Sequence, residues 1–210
     1  MKRIFVFVLA AVAASSCTFI KVGDEIDELM NIGSGSECQA IQPGDVKEFS
    51  SLKIDVPACV TFTQDSACIC GVKFEDPSDA PKLKIGSTAE GKLVFSTKKR
   101  NEQFKKNVRI TLSSAVLEEI EINGACVLDV NGTLSADKLS VESNGAGNIR
   151  IEDLDCDELA IEVNGTGNVA AAGRADRTDI EINGIGKVNI RNLKVIELKK
   201  EVNGLGAIEQ

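Results

Sequence analysis

Residues 120–130 read IEINGACVLDV, and the phrase returns as VESNGAGNIRI at 141–151, IEVNGTGNVAA at 161–171, IEINGIGKVNI at 180–190 and KEVNGLGAIEQ at 200–210. The Asn-Gly pairs Asn123-Gly124, Asn144-Gly145, Asn164-Gly165, Asn183-Gly184 and Asn203-Gly204 are separated by 21, 20, 19 and 20 residues. A repeat of about 20 residues is the mark of a solenoid, in which each unit buries its apolar face only against its neighbours. Each column then has a physical reading. Three residues before the Asn stand Ile120, Val141, Ile161 and Ile180, with Lys200 breaking the set; five after it stand Leu128, Ile149, Val169, Val188 and Ile208. Such residues fit an inward, pleated surface. Eight before it, Ala115, Ala136, Cys156, Ala175 and Val195 keep a small column where walls bend or approach.

The Asn-Gly step reads as a corner, because Asn tolerates and Gly freely reaches the left-handed backbone region. A two-residue hairpin would place Val127, Asn148, Asn168, Lys187 and Ala207 on the apolar face, and these are mostly polar. A wider Gly-x-Gly corner fits instead, as a three-residue hairpin loop or as a bend between two walls of a coil. Two residues before each Asn stand Glu121, Glu142, Glu162, Glu181 and Glu201. Flanked by apolar neighbours, they point outward and form an acidic row about 4.8 Å apart in a parallel stack. That row reads chiefly as a solvated face, and otherwise as a surface for recognition. Stacked Asn side chains can hydrogen-bond along such a column.

Working back towards the N-terminus, the pattern becomes irregular. Short strands are expected around 49–62, 69–74, 83–85, 93–95 and 108–112, with the charged run 98–106 as a solvated loop. At the start, Lys2 and Arg3 precede an apolar stretch over 4–14, and Ala14-Ser15-Ser16-Cys17 resembles a bacterial lipobox. Residues 1–16 therefore read as a lipoprotein signal peptide, with acyl chains such as palmitate on Cys17. Residues 17–45 read as a lipidated tether and 46–207 as the folded domain, with its five clear repeats over 119–207. The anchor implies an outer-membrane lipoprotein, and the absence of acids over 18–22 favours the periplasmic face.

Composition limits the chemistry. A net charge of −8 speaks against nucleic acid, which demands a basic stripe. With no His, Trp or Tyr among 210 residues, the commonest general base, the commonest metal ligand and the interfacial girdle of a membrane barrel are all missing. No nucleophile and base can be paired. A polysaccharide-acting β-helix enzyme would want aromatic platforms that this chain lacks. Neither metal nor cofactor is expected. Among the cysteines, Cys156 reads as a buried small residue, while Cys59, Cys68 and Cys70 lie on neighbouring strands where one disulfide could form; Cys38 is a further candidate.

The stretch VKEFSSLKIDVPACVTFTQ at 46–64, followed by a strand pair, a basic run and the five Asn-Gly frames, resembles the head GIN domain, labelled "putative autotransporter adhesin" and common in Bacteroidetes lipoproteins. The likeness covers roughly 46–207. It implies a right-handed parallel β-helix-like solenoid and transfers no catalytic residue. The family more often has Ser-Gly-Ser-Gly-Asp where this chain has Asn-Gly-x-Gly-Asn/Lys, so no ligand is carried over. The expectation is an all-β, non-catalytic envelope lipoprotein that binds a protein or glycan ligand, or that self-associates as a homo-oligomer.

Overall fold

In the computed structural model, which describes residues 39–40 and 43–210, the chain is a stack of β-coils. The signal peptide, Cys17, nearly all of the tether and Cys38 lie outside the described residues. The strands are β1 (Gln39–Ala40), β2 (Ser51–Ile54), β3 (Ala58–Gln64), β4 (Cys70–Phe74), β5 (Leu83–Ser87), β6 (Lys92–Thr97) and β7 (Val108–Ser114). They continue as β8 (Glu119–Ile122), β9 (Ala125–Ser143), β10 (Ala146–Val163), β11 (Asn168–Ile182), β12 (Lys187–Val202) and β13 (Ala207–Glu209). From β8 onward all neighbours are parallel. Asn-Gly is thus a bend between two walls of one coil, and the hairpin alternative is excluded.

Alternating burial shows how each coil turns. In β10, Ile149 and Ile151 point inward, then Leu154 and Cys156, then Leu159, Ile161 and Val163, with two adjacent outward residues wherever the phase slips. These slips and the Asn-Gly step give three bends and three walls. Inward positions stack in register, as in Leu128, Ile149, Val169 and Val188, or Val141, Ile161 and Ile180. The small column runs through Ala136, Cys156, Ala175 and Val195, whereas Ala115 sits after β7 outside the paired strands.

The uneven repeat length has a single structural source. Between the inward residues of the first and second walls, β9 has three residues (131–133), β10 has two (152–153), β11 has one (Ala172) and β12 has two (191–192). These differences reproduce the spacings of 21, 20, 19 and 20 residues. The one-residue bend is possible only because Gly173 adopts φ +113°, and a Cβ there would lie 2.2 Å from the Leu154 carbonyl oxygen. The three-residue bend carries Gly132 at φ +73°.

The other end does not follow chain order. β2 and β3 lie between β6 and β7 on one side and β8 and β9 on the other, so the coil begun at residue 92 is outside the one begun at residue 51. Antiparallel β5 on β6 and β4 on β7 close this end, and β1 pairs with β5. Phe49, Phe62 and Phe95 fill the wider interior here, with Phe49 and Phe62 edge to face at 6.3 Å. Buried Asp79 accepts hydrogen bonds from Lys82 Nζ (2.6 Å) and from the backbone N–H groups of Lys105 and Lys106, pinning the 98–107 loop to the cap.

The disulfide that the sequence left open among Cys59, Cys68 and Cys70 does not form: these three, with Cys126 and Cys156, are free. β7 separates β3 from β4. Cys70 pairs with Leu112, whose opposite partner is Phe62, and so lies two strands and three residues from Cys59. Cys70 also packs on the core, while Cys59 alternates with buried Ala58 and Val60 and faces out. Cys68 sits beyond the end of β3 at φ +48°.

Candidate functional site

The five corners stack on one flank. Asn144 Nδ2 donates to Asn123 Oδ1, Asn164 to Asn144 and Asn183 to Asn164, each at 2.9 Å, and Asn203 donates to Asn183 at 3.1 Å. The row ends on a carboxylate, with Asn123 Nδ2 donating to Asp55 Oδ1 at 2.7 Å. All donors point the same way, so the amide dipoles reinforce one another along the stack. The second hydrogen of each amide goes to the Glu two residues earlier. Asn123, Asn144, Asn164, Asn183 and Asn203 donate to Glu121, Glu142, Glu162, Glu181 and Glu201 at 2.7–3.0 Å.

The glycines of these corners do not serve the purpose read from the sequence. No corner Asn or Gly has positive φ. They are small because the backbones approach closely. A Cβ on Gly145, Gly165, Gly184 or Gly204 would lie 2.0–2.3 Å from the carbonyl oxygen of the glycine one coil below. Those oxygens accept the next corner's N–H, as from Thr166 to Gly145 and from Ile185 to Gly165, both at 3.0 Å. Gly124 faces the backbone of Val56, where the adjoining coil has Asp55-Val56-Pro57 in place of Asn-Gly.

Glu121, Glu142, Glu162, Glu181 and Glu201 pair in register across β8 to β12. Only the first is joined by a cation. Lys53 Nζ lies 2.7 Å from Glu121 and Lys92 Nζ lies 3.5 Å from it and 2.8 Å from Glu119. Burial alone would raise the Glu121 carboxyl, but hydrogen bonds from Lys53 and Asn123 outweigh it and hold the group below the usual carboxylate range. The other four carboxylates have their Asn amide and no ion pair within 4 Å among the described residues. They form a flat row, not a converging cage, and no acid or cysteine cluster suited to a metal occurs among the described residues.

A second row escaped the sequence reading. Lys138, Glu158, Arg177 and Glu197 stand in register and alternate in sign, with Arg177 paired to Glu158. Each lies six residues before the next Asn, so counting backwards would have found it. Counting forwards hides it, because the variable bend intervenes. These residues rim a shallow concavity of about 560 Å³ over Leu159, Thr178 and Leu198.

No curated protein matched the chain. Several solved structures share its fold. A "putative adhesin" from Bacteroides fragilis NCTC 9343 superposes with a TM-score of 0.61 at 19% identity, covering 84% of this chain and 97% of that one. Two more, from Parabacteroides merdae ATCC 43184 and Parabacteroides distasonis ATCC 8503, each give 0.51 at 16% identity, covering 83% of this chain and 95% of theirs. The family model described as "putative auto-transporter adhesin, head GIN domain" matches residues 48–209, and the chain belongs to that family.

Proposed function

We propose that the protein is a non-catalytic, lipid-anchored envelope protein that uses the corner flank of its solenoid to bind a protein or glycan. One observation carries this reading. Where the fold has charged residues at the start of the third wall, it alternates their sign from coil to coil, but at the corner it keeps five glutamates in succession. Like charges at strand spacing oppose stacking, and alternating ones favour it. The uniform row keeps this repulsion while clasping the Asn ladder, and it presents a repeated line of anionic acceptors that suits a ligand. Each carboxylate has one oxygen tied to its Asn amide, which fixes its direction, and at Glu142, Glu162, Glu181 and Glu201 the second oxygen is left for a ligand's hydroxyl, amide or ammonium groups. The family's adhesin label agrees with a binding role in the cell envelope.

The test is a binding screen of the unlipidated protein against matrix proteins and envelope glycans. Glu142, Glu162 and Glu181 changed together to Gln should abolish any binding found. Absence of binding above control defeats the adhesive reading. Lipid on Cys17 is checked by palmitate labelling of cells, which Cys17→Ala should abolish. Protease treatment of intact cells is expected to spare the protein if it faces the periplasm. No helix among the described residues is long and apolar enough to cross a membrane.

A second reading, self-association, is favoured by the last coil. β13 covers only Lys187–Asn189 of β12, and among the described residues no strand pairs with the outer edge of 191–202, whose inner edge is held by β11. Ile196 and Leu205 are 76% and 83% exposed beside it. Light scattering showing a strict monomer at high concentration would dismiss it.

A further inference from the structure

We propose that the capped end of the solenoid, through the basic loop 98–107, docks on an anionic lipid surface. Charge is strongly segregated along this chain. Residues 73–109 hold ten Lys or Arg against five acids, whereas 110–186 hold four against fifteen. The loop takes the place of the Asn-Gly corner in the outermost coil, joining β6 to β7 directly below Asp55-Val56-Pro57. Lys98, Lys99, Arg100 and Lys106 are exposed on it, and none has an ion pair within 4 Å among the described residues. Neighbouring acids are already engaged: Asp79 by Lys82, Asp76 by Lys105 and Glu75 by Arg109.

Chain entry picks out the same end. β1 pairs with Gly86 and Ser87 of β5, the outer strand of the cap, so the chain enters the described fold at the capped end of the solenoid. The 22 residues from Cys17 to Gln39 span at most about 79 Å when extended. A tether of that length lets any face of an anchored chain reach the bilayer, and the charge of each end then decides which face meets it. Attraction of basic side chains to anionic headgroups acts within about one Debye length, roughly 8–10 Å. That range includes the loop but little of the acidic coils, which are stacked at about 4.8 Å per coil beyond it. Repulsion of those coils by the same surface favours a molecule standing on its cap, with the Glu row directed away. This orientation rests on the lipid anchor proposed above; the loop's affinity for anionic lipid does not.

The experiment uses the mature chain from residue 17 with Cys17→Ser, so that no lipid contributes. It is mixed with vesicles of phosphatidylcholine alone or of phosphatidylethanolamine with phosphatidylglycerol, and bound protein is measured by flotation. Binding to the phosphatidylglycerol vesicles is expected to exceed that to neutral ones at least about tenfold and to fall steeply with added salt. Changing Lys98, Lys99, Arg100 and Lys106 together to Glu should abolish it, with an unaltered melting temperature showing that the fold is intact. The same reversal at Lys194 and Lys199, on the far coil, should leave binding unchanged. Equal binding to both vesicle types, or loss only on reversal at the far coil, would overturn the proposal. So would capture of heparin without capture of phosphatidylglycerol vesicles, which would mark the loop as a site for soluble polyanions. Palmitate labelling reports on the anchor separately, so the two readings can fail independently.

Discussion

At the scale of single residues, glycine is demanded by contact in most corners and by conformation in two of the bends, at Gly132 and Gly173. Gly173 combines both demands: φ +113° and a carbonyl oxygen 2.2 Å from where Cβ would sit. Gly173→Ala is expected to cost at least about 3 kcal/mol, read from urea denaturation, since backbone strain and overpacking add. A cost below 1 kcal/mol would show that the stack rearranges freely there. Asn164 lies mid-ladder, donating to Asn144 and Glu162 and accepting from Asn183. Its change to Ala is expected to cost about 1–2 kcal/mol, a modest loss because the bonds are exposed to competing water. The thiols separate by environment. Burial pushes Cys70 and Cys126 up to about 12, with Cys59 adding to the effect on Cys126, and burial with nearby Asp157 and Asp155 pushes Cys156 to about 11. At pH 8 the folded protein should therefore be alkylated at half-buried Cys59 and Cys68 well before these three, as peptide mass spectrometry would show.

At the scale of the element, the coil was legible in the sequence and the cap was not. Five Asn-Gly frames announce the repeat because every coil must meet the same neighbour. The inward columns follow from the alternation around each Asn. No such constraint acts on residues 51–114, where β2 and β3 are sandwiched between strands that come later in the chain. Strand positions could be read there from local alternation, but spatial order depends on long-range pairing that leaves no period. The disulfide question stayed open in the sequence for the same reason, since nearness in sequence did not put Cys59 and Cys70 on adjacent strands. The acidic row could be placed from its spacing, whereas the amide clasp on each carboxylate required side-chain geometry. The variable bend makes an element-scale test. Inserting one Asn after Ala172 restores the two-residue bend of β10 and β12 and removes the need for positive φ. In the Gly173→Ala background this insertion should recover more than half of the lost stability; failure would mean that the short coil is required by its neighbours.

At the scale of the whole molecule, the two halves differ in their response to acid. Asp79 and Glu121 are each raised by burial, yet hydrogen bonds outweigh it: from Lys82 and the Lys105 and Lys106 backbone for Asp79, and from Lys53 and Asn123 for Glu121. Both folded carboxyls therefore sit below their unfolded values. The stability they contribute is fully present above about pH 4–5 and is lost as pH falls through the depressed folded values. Asp79 holds the 98–107 loop to the cap, and Glu121 joins the first repeat to Lys53 of the coil beneath. The later coils are held by apolar columns and by an amide ladder that does not itself titrate. Acid should accordingly open the cap before the repeats. Hydrogen exchange at pH 3 is expected to release the amides of 79–85 and 105–112 while those of 149–163 and 169–182 stay protected. Because the cap closes the end of an otherwise cooperative stack, Asp79→Asn should produce the same order of opening at neutral pH. Simultaneous release of both halves would show that the junction at Glu121, and not the loop at Asp79, governs stability.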